Sequence, residues 1–172
     1  MQKKLQQLPK LAAEKKSENK KYFQILKKRT PKNLDVVVHS IHDKVFANTD
    51  CLACGNCCKT TSPIFTEKDI QRIAKNLRMK ETKFIEQYLM RDKDDFWVLQ
   101  EVPCTFLGAD NDCFIYDVRP KACSEYPHTN RKKFIQLASL TLNNTEVCPA
   151  VYDIVEELKE KIKIQVGRKG SM

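Results

Sequence analysis

The residues of this chain best equipped for chemistry are its eight cysteines, at positions 51, 54, 57, 58, 104, 113, 123 and 148. The first four form Cys51-Leu52-Ala53-Cys54-Gly55-Asn56-Cys57-Cys58, two overlapping C-x-x-C pairs. Two intervening residues let one tight turn aim two sulfurs at a single ion, and a bound metal lowers the thiol pKa and fixes the anion. The adjacent pair Cys57-Cys58 adds a constraint, because neighbouring side chains usually diverge. That favours two different sites, or one thiol left over. Three schemes fit the spacing. Eight thiolates make two closed four-cysteine zinc sites. Alternatively, Cys51, Cys54 and Cys57 open a C-x-x-C-x-x-C iron–sulfur run, possible as a 4Fe–4S cluster, whose remote fourth ligand is the cysteine of Cys148-Pro149. In the third scheme some of the thiols are redox-active or disulfide-bonded. The spacing favours metal, in one or two sites, and leaves zinc and iron both open.

A chain of 172 residues can bury a core without staples, so eight cysteines exceed what folding alone requires. The N-terminus Met1-Gln2-Lys3-Lys4-Leu5 opens no apolar run of the secretory type, and no stretch approaches the length of a membrane span. The expected location is therefore the cytoplasm, where thiols stay reduced and serve as ligands or redox groups.

The net charge of +9 is uneven. Residues 1–32 hold eleven Lys and Arg against Glu14 and Glu18, and the other 140 residues balance twenty bases with twenty acids. The basic character belongs to the N-terminal segment, which suits an anionic partner such as nucleic acid, an anionic membrane surface or an acidic protein. The plain alternative is a solvated helix that keeps the protein soluble.

The elements that must position the cysteines follow from local patterns. Residues 1–29 read as a polar helix with apolar stripes near its ends (Leu5, Leu8, Leu11 and Ala12, then Tyr22, Phe23 and Leu26). Such a helix projects or docks only at its ends; Pro9 kinks it or marks its start, and Thr30-Pro31 ends it. Leu34, Val37, Val38, Ile41 and Val45 predict a helix over 34–46. The cysteine run at 51–58 reads as a loop that something must hold. Thr66-Glu67-Lys68-Asp69 is a helix start, with Thr66 as cap and Phe65 stapled onto Ile70. Phe84, Ile85, Tyr88 and Leu89 predict a second helix. Phe96 to Leu99 reads as a strand, and a hairpin is expected where Cys104–Leu107 and Cys113–Tyr116 flank a Gly-Ala-Asp-Asn-Asp turn. Helices are expected over 131–143 and 149–163, the latter with Pro149 in its first turn. The expected fold is mainly α with a small β-hairpin, centred on the cysteines and carrying a projecting N-terminal helix. The expected division is a basic arm over 1–32, a cysteine domain over 33–166 and a flexible tail over 167–172.

The combined motifs resemble the YkgJ-type cysteine-cluster family, described as zinc- or iron-chelating domains. They are Cys51-x-x-Cys54-Gly55-x-Cys57-Cys58, Thr66-Glu67-x-Asp69-Ile70, Pro103-Cys104-x-Phe106-Leu107, Cys113-x-Ile115-Tyr116-x-x-Arg119-Pro120-x-x-Cys123-x-x-Tyr126-Pro127, and Cys148-Pro149. The resemblance covers about residues 50–150 and implies all eight cysteines as metal ligands. It implies no particular reaction. Flagellin lysine-N-methylases, which contain a related cysteine domain, are its enzymatic precedent. This chain has only four glycines and no Gly-rich loop after a strand, so no S-adenosylmethionine fold of its own is expected. The readings carried forward are a metal-binding cysteine-cluster protein, with protein-modifying or redox chemistry among its roles, and a zinc-stabilised interaction module whose basic arm contacts an anionic partner. Around the thiols, Arg119 is expected to pin the turn before Cys123 through a salt bridge. Tyr116 and Tyr126 are read as packing with a wet tip and His128 as a neighbour of the ligands or a solvent-facing residue. His39 and His42 are read as surface residues.

Overall fold

The computed structural model describes residues 2–164, so the expected tail at 167–172 lies outside the described residues. Contacts divide the chain into two compact units, one formed by residues 1–49 with 127–172 and the other by residues 50–126.

The first unit is helical. Helix α1 (Gln2–Lys28) runs through Pro9 and stops before Pro31; α2 (Leu34–Phe46) follows. After residue 126, a 3-10 turn (Phe134–Leu137) leads into α8 (Ala138–Asn144), and Pro149 opens α9 (Pro149–Lys161). Five helices lying in the other unit take the intervening labels. Both apolar stripes of α1 are buried, Leu8 and Ala12 at one end and Tyr22, Phe23 and Leu26 at the other. Asn19 between them is buried as well and accepts a hydrogen bond from Lys159 Nζ at 2.8 Å. The Tyr22 hydroxyl donates to the carbonyls of Leu158 and Ile162 on the last turn of α9. Helix α1 is thus packed along one face, against α8 and α9, rather than projecting. The pattern hid this because its middle anchor is an amide. The core of this unit joins Phe23, Leu26, Val38 and Ile41 to Phe134, Ile154, Val155 and Leu158. His42 and His39 are half-buried and not purely surface groups: His42 Nδ1 lies 2.8 Å from Thr129 Oγ1, and His39 Nε2 lies 3.3 Å from the Arg131 carbonyl.

The second unit begins with two short helices, α3 (Cys51–Cys54) and α4 (Asn56–Thr60), followed by α5 (Glu67–Asn76) and α6 (Glu81–Tyr88). Strands β1 (Leu89–Arg91) and β2 (Trp97–Leu99) pair antiparallel with Met90 opposite Val98. A 3-10 turn (Tyr116–Val118) and α7 (Lys121–Ser124) complete it. The capping box at Thr66 forms as expected, and Phe65 and Ile70 share one core with Ile73, Phe84, Leu99, Phe106 and Ile115.

The predominantly helical architecture with one small hairpin matches the sequence reading, but the hairpin sits at 89–99 rather than 104–116. Leu89, assigned by pattern to the end of α6, leaves the helix to pair with Leu99. The segment 104–116 forms a single bridge, Leu107 with Cys113. It cannot zip further, because the Cys104 N–H is committed to the Cys58 carbonyl and the chain tightens into a 3-10 turn at Tyr116.

Candidate metal centre

The run at 51–58 is two turns of helix joined at a left-handed glycine, where the sequence suggested a loop. Asp50 caps α3, its carboxylate accepting from the Ala53 N–H at 3.0 Å. Gly55 at φ +58° ends α3 and starts α4. A β-carbon there would lie 2.9 Å from the Asn111 side chain, whose amide donates to the Ala53 carbonyl. Glycine is thus required twice, for the left-handed backbone and for the close approach of the 108–112 turn. Gly55→Ala is expected to cost about 1–2 kcal/mol in a urea melt. Asn111→Gly in the same chain should recover only the steric part, since the left-handed backbone cost stays.

The other thiols arrive from two directions. Cys104 is tied directly to the run, its N–H donating to the Cys58 carbonyl at 2.8 Å. Cys113 is held opposite Leu107 across the 108–112 turn. Cys123 lies on α7, which Asp69 positions from a distance. The Asp69 carboxylate is buried and accepts from the Thr66 N–H (2.9 Å) and hydroxyl (2.6 Å), from Arg72 Nη2 (2.5 Å) and from the Lys121 N–H (3.1 Å). Arg72 also donates to the carbonyls of Val118 and Arg119. One buried carboxylate and one arginine on α5 therefore fix the turn that delivers Cys123. Burial pushes the Asp69 carboxyl up, but the hydrogen bonds from Thr66, Arg72 and Lys121 outweigh it and hold it below the usual carboxylate range.

Arg119 does pin the turn before Cys123, though among the described residues it does so through Tyr116 and not through a salt bridge. Its guanidinium lies 3.9 Å from the centre of the exposed Tyr116 ring and donates to the Tyr116 carbonyl at 2.6 Å. Its charge also reaches the thiols of Cys113 and Cys123 and favours their ionised forms. Tyr126 is half-buried in this unit, and His128, half-buried with a left-handed backbone, belongs to the other.

Cys58 is the hub. Its sulfur lies 4.0 Å from that of Cys57, and it interacts electrostatically with Cys51, Cys104, Cys113 and Cys123. Cys54 interacts in the same way with Cys51. The neighbouring pair does not diverge as its adjacency suggested. Sulfurs around one tetrahedral ion with bonds of about 2.3 Å stand about 3.8 Å apart, so Cys57 and Cys58 are spaced as two ligands of one site would be. The Cys58 thiol is brought down to about 7 by its hydrogen bond with Cys57, against burial and with help from Lys59. Burial pushes Cys51, Cys104 and Cys113 up, and it carries Cys123 to about 12 with the neighbouring thiols adding to the effect.

The donor set fits a soft cation: seven thiols in one unit, none in a disulfide, with Lys59 and Arg119 favouring the thiolate form. Among the described residues no three Cys, His, Asp or Glu groups already stand at liganding geometry. Cys148 stands apart from the seven in the chain's division. It belongs to the other unit as the residue preceding α9, half-buried against that unit's core, with its N–H donating to the Asn144 carbonyl at 2.8 Å.

The sequence does not mark Asp69 and Arg72 as groups that position the Cys123 turn. The only local signal was the capping position of Asp69, which does not reveal a bond to a residue 52 positions away. No helix among the described residues is long and apolar enough to cross a membrane. Neither the curated proteins nor the solved structures contain a match to the chain. Residues 50–149 match the model of the CxxCxxCC family, whose description reads "Putative zinc- or iron-chelating domain". That segment is more than half of the chain and takes in all eight cysteines, so this is a metal-binding cysteine-cluster protein that belongs to the CxxCxxCC family.

Proposed function

We propose that Cys51, Cys54, Cys57, Cys58, Cys104, Cys113, Cys123 and Cys148 are the ligands of the chelated zinc or iron, and that the metal's first task is structural. One observation carries this reading. The three short helices that bear Cys51, Cys54, Cys57, Cys58 and Cys123 contain no buried residue. Helices of four or five residues do not persist on their own backbone bonds, and these have no apolar anchor to hold them. A cation shared by their thiolates supplies the missing restraint. A sphere filled by thiolates is also the pattern of closed structural zinc sites and of iron–sulfur clusters, rather than of a metal left open for substrate. The residues of this chain would then act in three ways. The thiols give up their protons and bind, Arg119 and Lys59 stabilise the negative charge, and Asp69 with Arg72 holds the Cys123 turn in reach.

Anaerobic purification with elemental analysis and a visible spectrum tests the proposal and separates the two metals. A colourless protein with zinc bound in proportion to chain supports the zinc form. A brown protein with thiolate-to-iron absorption supports the cluster. A metal-free protein with paired disulfides contradicts both.

A further inference from the structure

The positive charge read from residues 1–32 is not confined to them. Within the first unit, the end of α1 and the segment after residue 128 meet at the start of α2. The Asp35 carboxylate accepts the N–H of Lys133 at 2.7 Å and of Phe134 at 3.1 Å. The Phe134 ring packs 6.0 Å from that of Phe23 on α1. These contacts bring together at the start of α2 the two segments that carry Lys27, Lys28, Arg29, Lys32, Lys132 and Lys133, all exposed. Asp35 is the acid of residues 27–36 and 128–134, and its carboxylate is engaged by two backbone N–H groups. None of the six cations has an ion pair among the described residues, whereas on the same helix Lys4, Lys15 and Lys16 are each paired with an acid. Lys27 and Lys28 also complement the C-terminal dipole of α1. That explanation does not extend to Lys32, Lys132 or Lys133. Lys133 moreover holds a left-handed backbone, at φ +59°, that asparagine or glycine would adopt more cheaply.

We infer that this corner is a docking surface for the phosphate backbone of double-stranded nucleic acid. The composition of the patch decides among polyanions. Its exposed large apolar side chain is Val36, and neither of its segments has an exposed aromatic. A membrane-surface helix needs an apolar face to insert, and a single-strand binder needs aromatic platforms on which bases stack. A duplex requires only cations spaced along its phosphates, and it is bound without regard to sequence. The inference is independent of the metal centre, since none of its residues lies in the 50–126 unit.

The test is fluorescence anisotropy of the full chain, purified with its metal, against labelled blunt 20-base-pair DNA and RNA duplexes. Six phosphate contacts predict a slope of log K against log salt of about −5. Neutralising four of the cations (Lys27→Gln, Lys28→Gln, Lys32→Gln and Lys132→Gln) should weaken binding at low salt by about tenfold or more and bring the slope to about −2. An equal number of neutralisations in the other unit (Lys68→Gln, Lys75→Gln, Lys80→Gln and Lys93→Gln) should change the affinity less than twofold, with circular dichroism melts confirming that both variants fold. Equal losses in the two variants, a failure to saturate either duplex, or preferential co-sedimentation with phosphatidylserine vesicles would each overturn the inference.

Discussion

Stripping the metal with a chelator under reducing conditions is expected to release residues 51–60 and 104–124 while the first unit stays folded. Helices α3, α4 and α7 contain no fully buried residue, so once the thiolates lose their common cation only hydrogen bonds, among them those of Asp50, Asp69 and Asn111, hold them. Around them the second unit keeps a modest apolar core, formed largely by α5, α6 and the hairpin. The first unit rests on its own core of α1, α2, α9 and Phe134. A ligand bound only by the folded state stabilises it by about 4 kcal/mol when its free concentration is a thousand times Kd, and metals in thiolate sites often contribute more. Loss on that scale exceeds anything a single surface contact supplies. Hydrogen exchange should show it as lost protection in the two cysteine segments, with the amides of α9 and of α5 around Ile70 and Ile73 retained. Identical exchange with and without metal would mean that these short helices are held by something else.

Asp69→Ala is the substitution outside the thiols with the largest expected effect, about 3 kcal/mol. Its carboxylate satisfies two backbone N–H groups, the Thr66 hydroxyl and Arg72. Each buried donor left without an acceptor costs about 1 kcal/mol or more, and the Thr66 N–H, the Thr66 hydroxyl and the Lys121 N–H all lose theirs. Arg72 is partly exposed, so water screens the charge left behind and the total stays below that of a fully buried broken pair. Because Asp69 holds the Lys121 N–H, the damage reaches α7 and Cys123, and metal affinity should fall together with the melting temperature. The pH dependence has a definite sign. The folded carboxyl is held below its unfolded value of about 3.9, so its stabilisation is complete above that pH and is lost as the pH falls through the lower, folded value. Asp69→Asn should therefore flatten the acid limb of the stability curve below about pH 4, read by urea melts at stepped pH.

These two results separate what the sequence reveals from what it hides. The cysteines, the Thr66 cap and the stripes of α2 and α9 are legible because each is set by residue type or by spacing within a few positions. The place of the hairpin is not, because Leu89 has helical neighbours and pairs with Leu99 only for tertiary reasons. The packing of α1 is concealed by Asn19, a polar residue buried where a pattern expects leucine. The Cys57–Cys58 spacing is concealed in another way: adjacency suggests divergence, but the helical turn after Gly55 sets the two sulfurs 4.0 Å apart. The role of Asp69 depends on a bond across 52 residues, and the corner made by Lys32 and Lys133 depends on Asp35 reaching across 98. Spacing arguments end where such bonds begin.

Cys58 has the most readily ionised thiol of those shifted, its sulfur lies 4.0 Å from that of Cys57 and its carbonyl anchors Cys104, so the metal reading stands or falls most directly on this residue. The measurement is metal per chain in Cys58→Ser, purified anaerobically beside the wild type and quantified by elemental analysis. The substitution keeps the backbone bond to Cys104 and removes only the sulfur. The expected result is at least about a tenfold loss of bound zinc or iron, a floor set by the effect of losing even an indirect support of a metal ligand. Full metal content with an unchanged spectrum would contradict the account.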